Sequence, residues 1–175
     1  FYSATVKNLT LGMSQYLSND FKSLMFYSML ENIRDEKCTF VDSLAFCNYS
    51  GLKTVSFPSC SSVSNNAFSY CSNLVDVFLP SCISIGYYAF QSCYALTSIS
   101  LPNCKSIGDA AFNSCSNLPS IDLPECEYVG YNAFSYCSNL SYVNLPKCSY
   151  VSPSAFYGCK SLNTINLGVS SLSAS

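Results

Sequence analysis

Apolar and polar positions recur along this chain in one arrangement, L-x-x-[IV]-x-[LF]-P-x-C-x-x-[IV]-x-x-x-A-F-x-x-C-x-x. The Ala-Phe pair sets its register. Ala45-Phe46, Ala67-Phe68, Ala89-Phe90, Ala111-Phe112, Ala133-Phe134 and Ala155-Phe156 each lie 22 residues after the pair before. A fixed period that keeps every apolar position is the signature of a solenoid, whose units bury their apolar faces only by stacking on one another.

Regular units open at Leu52, Leu74, Leu96, Leu118 and Leu140, with Val55, Val77, Ile99, Ile121 or Val143 three residues on. Phe57, Leu79, Leu101, Leu123 or Leu145 follows two residues later, and this alternation predicts a short half-buried strand. Pro58, Pro80, Pro102, Pro124 and Pro146 then stop it, because proline cannot continue a ladder. Strands joined by a compact return must run parallel, stacked roughly 4.8 Å apart, so one continuous sheet is expected. The return, such as Gly108 to Cys115, has room for one or two helical turns at most. The predicted fold is an α/β solenoid: a right-handed superhelix with a parallel β-sheet on one face and short helical or irregular segments on the other.

Residues 1–29 do not fit the repeat and read as an N-terminal cap or degenerate repeat. Val6, Leu9 and Leu11 could form a strand there, and Ser18 or Asn19 could cap a helix through Phe21, Leu24, Met25 and Leu30. Residues 30–175 form the solenoid. Its first unit is worn, with Asp35 and Glu36 where later units have Phe57 and Pro58, and its last is incomplete. Gly168 replaces the proline there and Ser175 arrives before any Ala-Phe, as in a piece of a longer protein.

Only 10% of residues are charged and the net charge is -2, which leaves no basic footprint for nucleic acid. No apolar run approaches the ~18 residues of a membrane span, and no signal peptide opens the chain. The solvent face is therefore built from neutral polar and phenolic groups. With 14 Tyr among abundant Ser and Asn, it has the composition of a recognition surface, although Ser and Asn also simply fill tight turns.

Eleven of the 12 cysteines fall on two ladders, Cys38 to Cys148 and Cys71 to Cys159, each at the repeat spacing. One strand spacing lies within the Cα range that a disulfide tolerates. A cysteine in phase with Leu, Ile and Phe is more simply a small apolar core residue. Reduced inward ladders are the expectation, with bridging as the alternative, and Cys47, off both ladders, is the thiol expected to react. No C-x-x-C occurs, so no zinc or other metal site is expected, and no cofactor.

The absence of His removes the usual general base and the His-activated nucleophiles, which argues against an enzyme. Asp76 and Asp122 lie two strands apart, roughly 9–10 Å, at or beyond the reach of a glycosidase pair. The sequons at Asn8, Asn48 and Asn139 matter only in a eukaryotic secretory pathway.

What remains is the outward face of the strands, which alternation assigns to the third and fifth positions of each unit. They run from Asn32/Arg34 through Asp76/Phe78, Ser120/Asp122 and Tyr142/Asn144 to Thr164/Asn166. Aromatic anchors in a polar surround dominate interfaces, so Asp76, Phe78, Asp122, Tyr142 and Asn144 are the candidate ligand-binding residues. Scattered exposed aromatics without a role are the competing reading. The fallback surface is the Tyr-rich one around Tyr87, Tyr88, Tyr131 and Tyr157.

The succession of LPxC, a branched residue, AF and a second Cys resembles the BspA-like (Treponema pallidum-type) leucine-rich repeats, over about Leu30 to Leu167. That class occurs in secreted and cell-surface proteins of host-associated bacteria and some parasitic protists. The resemblance implies an extracellular or cell-surface recognition and adhesion module whose partner is a protein or glycan ligand, possibly host-derived. A structural spacer or fibre element of a larger surface protein is the alternative. No nucleic-acid partner and no membrane insertion are expected.

Overall fold

The computed structural model describes residues 7–10, 15–16 and 29–168. Each unit contributes two short strands to two parallel ladders. On the first face, β1 (Asn8–Thr10), β3 (Asn32–Arg34), β5 (Thr54–Ser56), β7 (Asp76–Phe78) and β9 (Ser98–Ser100) form a five-stranded sheet. Farther along that face, β11 (Ser120–Asp122), β13 (Tyr142–Leu145) and β15 (Thr164–Leu167) form a three-stranded one. The second face is a seven-stranded sheet of β2 (Gln15–Tyr16), β4 (Phe40–Val41), β6 (Ser62–Val63), β8 (Ser84–Ile85), β10 (Ser106–Ile107), β12 (Tyr128–Val129) and β14 (Tyr150–Val151). Register follows the repeat, as in Val55 opposite Val77 and Ile107 opposite Val129. The strand at Asn8–Thr10 pairs with β3 as an earlier unit would. The helix expected through Phe21, Leu24, Met25 and Leu30 lies, apart from its end at Leu30, outside the described residues.

The helical return is corrected: among the described residues there is no helix. Left-handed residues frame every Ala-Phe pair instead. Leu44 and Asn48, Asn66 and Tyr70, Tyr88 and Ser92, Ala110 and Ser114, Asn132 and Tyr136, and Ser154 and Gly158 all have φ between 52° and 74°. This conformation turns the amides outward along the stack. Asn66 N–H donates to Tyr87 O, Phe68 N–H to Ala89 O and Tyr70 N–H to Gln91 O, and the same three bonds recur in neighbouring units. An α-helix would spend those amides on its own carbonyls four residues back. At about 10 Å wide, helices could not stack at the ~4.8 Å spacing that the strands impose on a straight array.

The expected continuous sheet is also corrected, since β9 and β11 are not paired. Pro119 explains the break. At its position in other units the amide donates across to the preceding unit, as Val75 to Lys53 O, Thr97 to Val75 O, Ser141 to Pro119 O and Asn163 to Ser141 O. Proline has no N–H to offer Thr97 O. The bond that Leu101 N–H would make to Asp122 O, as Leu79 makes to Ser100 O and Leu123 to Asn144 O, is likewise missing. Beside the break Ile99 is half-buried, whereas Val55, Val77, Ile121 and Val143 are fully buried.

The core between the faces is a set of ladders. Phe46, Phe68, Phe90, Phe112, Phe134 and Phe156 stack in one column with ring centroids 5.1–5.5 Å apart and nearly parallel planes. Offset stacking of this kind adds about 0.5–1.5 kcal/mol per pair beyond the area it buries. All 12 cysteines are free thiols and ten are buried. The Cys38–Cys148 ladder donates to carbonyls two residues ahead, as Cys60 to Ser62 O at 3.2 Å. The other ladder reaches back a full unit, as Cys93 to Phe68 O at 3.2 Å and Cys137 to Phe112 O at 3.1 Å. A thiol thus supplies a weak donor to a buried carbonyl where an apolar side chain of similar size could not.

Candidate ligand-binding surface

The outward side chains of the first face stand in columns one unit apart. At the N-terminal end Asn32 Nδ2 donates to Asn8 Oδ1 and Thr54 Oγ1 to Asn32 Oδ1, both at 2.7 Å. At the other end Asn144 Nδ2 donates to Asp122 Oδ1 at 2.7 Å, and Asn166 Nδ2 to Asn144 Oδ1 at 2.6 Å. Amide and carboxylate groups satisfied in this way stiffen the face and are partly spent on it.

The five candidate residues fall into two groups. Asp76 and Phe78 occupy β7, where Phe78 is 44% exposed between Ser56 and Ser100. Asp122, Tyr142 and Asn144 occupy β11 and β13, where Tyr142 is 41% exposed between Ser120 and Thr164. The break at Pro119 falls between the groups, one strand from each aromatic residue. Asp122 and Asn144 are brought into contact, whereas Asp76 and Phe78 belong to a separate sheet. Polar Ser98, Ser100 and Ser120 line the two sides of the break.

Charge is marginal to this surface. Glu31 is held below the ordinary carboxylate range by hydrogen bonds from Lys53 and then Lys7, with N–O distances of 3.0 and 3.2 Å. Lys147 pairs with Glu125 at 2.7 Å on the segments that follow the strands. Among the described residues no group of three or more His, Cys, Asp or Glu is disposed to hold a metal ion. No helix among them is long and apolar enough to cross a membrane.

The buried thiols are chemically quiet with two exceptions. Burial raises the Cys71, Cys82 and Cys93 pKa values and pushes Cys104 up to about 12. Cys60 and Cys148 go the other way, because the Cys38 and Cys126 thiols hydrogen-bond to them and burial only partly opposes that, while Cys38 and Cys126 are raised. Cys47 is half-buried and accepts a hydrogen bond from Asn48 Nδ2 at 3.3 Å.

A second set of exposed aromatics belongs to parts of the fold that the strand pattern did not predict. Tyr128 and Tyr150 stack on the outer side of β12 and β14, with centroids 5.4 Å apart. Tyr70, Tyr87, Tyr88, Tyr131, Tyr136 and Tyr157 crowd the edge formed by the left-handed segments. Their 22-residue columns were available as a signal, but only once those segments are known to stack in register.

A family profile described as BspA type leucine rich repeat region, in six copies, matches residues 1–75 and 83–174. The chain belongs to the BspA-type leucine-rich repeat family. No curated protein matches its sequence. The T. pallidum leucine rich repeat protein resembles it at 25% identity with a TM-score of 0.70, over 94% of this chain and 70% of that one. A leucine-rich repeat protein from Bacteroides ovatus is 33% identical with a TM-score of 0.74, over 93% of this chain and 42% of that one. A leucine rich cell surface protein from Faecalibacterium prausnitzii shares the fold at 22% identity with a TM-score of 0.53, over 81% of this chain and 48% of that one. The chain therefore spans less than half the length of the last two.

Proposed function

We propose that this BspA-type solenoid is a non-enzymatic recognition or adhesion module that works outside the cell or on its surface. It binds a protein or glycan across the outward face of the first ladder. The observation that carries this reading is that Phe78 and Tyr142 stand exposed among Ser, Thr, Asn and Asp on a face whose polar side chains are fixed by hydrogen bonds along it. Rigid, half-exposed aromatics in a polar surround are what a binding surface uses as anchors. Their strands are three units apart, roughly 14 Å, which suits an extended ligand rather than an enclosed metabolite.

Surface placement is part of the proposal. It rests on the family and on a structural relative described as a cell surface protein. A spacer that only extends the chain would have no use for Phe78, Asp76 or Tyr142 among serines. The test is a glycan array together with capture on immobilised host extracellular matrix, repeated with Phe78→Ser and Tyr142→Ser combined. Affinity should fall at least tenfold with melting unchanged. Undiminished affinity would refute the sheet-face site, and no ligand in either format would favour the spacer.

A further inference from the structure

The tyrosines on the left-handed edge lie where the fold least favours them. Tyr70, Tyr88 and Tyr136 have φ of 62°, 57° and 60°. In this region an L side chain is disfavoured and only Gly, with Asn less readily, is at ease. Equivalent positions in other units hold Asn48, Asn66, Asn132 and Gly158, and also Leu44, Ser92, Ala110, Ser114 and Ser154, so the fold accepts easier or smaller residues at the same sites. The tyrosines are also 43–54% exposed, and the core gains little from them. Strain kept at exposed aromatic positions points to use of the surface rather than to packing.

The rings are also held in place. A Cβ at Gly108 would lie 2.9 Å from Tyr87 Cδ1, and one at Gly158 the same distance from Tyr136 Cδ1. Gly158 leaves the space that the Tyr136 ring occupies, while at Gly108 the Gly86 backbone, at 2.8 Å, crowds the site together with the Tyr87 ring. Tyr136 packs edge-on against Tyr157, with centroids 5.4 Å apart and planes at 88°. A ring fixed before binding gives up less entropy when a ligand lands on it.

The chemistry between the rings selects the ligand. Gln91, Asn113 and Asn132 supply neutral amides, the Asn113 and Asn132 oxygens already accepting from Ser114 and Ser135 at 2.9 and 2.8 Å, and Asp109 is engaged with the Tyr131 amide at 2.8 Å. The chain's one arginine, Arg34, lies on the other face, and the edge has too few basic groups to attract sulfate or carboxylate. It also lacks arginine, one of the residues that centre protein interfaces. Phenol rings stack on the C–H faces of sugar rings while amides bond the hydroxyls, and here the Tyr87/Tyr88 and Tyr131/Tyr136 units, two steps of ~4.8 Å apart, carry rings on either side of a unit that offers the Asn113 amide.

We propose that this edge is a second binding surface, for a neutral oligosaccharide lying along the solenoid axis over Tyr87, Tyr88, Tyr131, Tyr136 and Tyr157. It is separate from the sheet face, so the two fail independently.

Native gels cast with mannan, glycogen or neutral galactan, and with heparin or polygalacturonate as anionic comparators, test it directly. Because the chain has no Trp, tyrosine fluorescence reads the matching oligosaccharides in solution. At least one neutral polymer should retard the protein. Tyr88→Asn with Tyr136→Asn should weaken that binding tenfold or more while leaving the melting temperature equal or higher, because Asn accepts the backbone more easily. Gly158→Ala should weaken it by displacing the Tyr136 ring, and Phe78→Ser with Tyr142→Ser should leave it unchanged. No retardation by any neutral polymer, retardation by the anionic ones alone, or full binding by the Tyr88/Tyr136 variant would each overturn the proposal, as would loss of binding in the Phe78/Tyr142 variant.

Discussion

Replacing Pro119 by Ser should stabilise this protein, against the usual expectation that losing a proline loosens a chain. The unit after it already has Ser141 at the same position, with its amide donating to Pro119 O at 2.9 Å. Pro119→Ser would supply the missing donor to Thr97 O, and closure of β9 on β11 would let Leu101 N–H reach Asp122 O. Two recovered backbone bonds at about 1 kcal/mol each give about 2 kcal/mol. Freeing the unfolded chain at one proline costs about 0.4–1 kcal/mol. The net gain is about 1–1.5 kcal/mol, which at a slope of about 2 kcal/mol/M raises the urea midpoint by roughly 0.5–0.75 M. Hydrogen exchange adds a local check, because the Leu101 amide should become as protected as those of Leu79 and Leu123. A lower midpoint, or a Leu101 amide that exchanges as fast as before, would refute the account of the break.

Phe112→Ala removes a ring stacked on both Phe90 and Phe134, at 5.3 and 5.2 Å, and should cost about 3–5 kcal/mol. Units couple only to their neighbours, so its urea transition should also broaden or split, and a single unshifted transition would contradict the ladder. Glu31 has a lowered pKa in the fold through Lys53 and Lys7, so its contribution is present above about pH 4.5 and is lost as pH falls through the folded value. Glu31→Gln should therefore lower stability at pH 6 but not once the pH is well below the folded value, and should flatten the acid slope between them. An equal loss at both would assign the effect to packing.

The core was legible because each apolar position of the repeat is a ladder whose members meet only their own kind one unit away. Leu, Val or Ile, Ala, Phe and Cys at fixed places are all that a stack at strand spacing needs. The second sheet was not legible, since strands such as Ser84–Ile85 have one inward residue each and no alternation to detect. The left-handed segments escaped for a different reason. Tyr88, Ala110 and Ser114 carry none of the glycine signal that marks such a conformation, and only the amide bonds to the next unit hold them there. Pro119 occupies a position that the repeat leaves free, so its effect shows only as a missing donor. At the candidate surface, alternation correctly turned Phe78 and Tyr142 outward. The bond from Asn144 to Asp122 could have been read from their 22-residue spacing, because register makes them neighbours.

Backbone and core are thus both committed to the stacking direction. The strands bond along it, the left-handed segments send their amides along it, and the phenylalanine and cysteine ladders run the same way. At roughly 1–2 kcal/mol for each non-glycine residue, the left-handed positions would be untenable in an isolated unit and become tolerable only when neighbours capture the amides they release. Little of this depends on the side chains that point outward. Phe78 sits between two serines and Tyr142 between Ser120 and Thr164 without disturbing the ladder beneath them. A surface so loosely tied to its scaffold can change its chemistry one column at a time. Of the eleven non-glycine left-handed positions, Tyr70, Tyr88 and Tyr136 are the ones that hold an exposed aromatic ring, and there the external reason is to be sought.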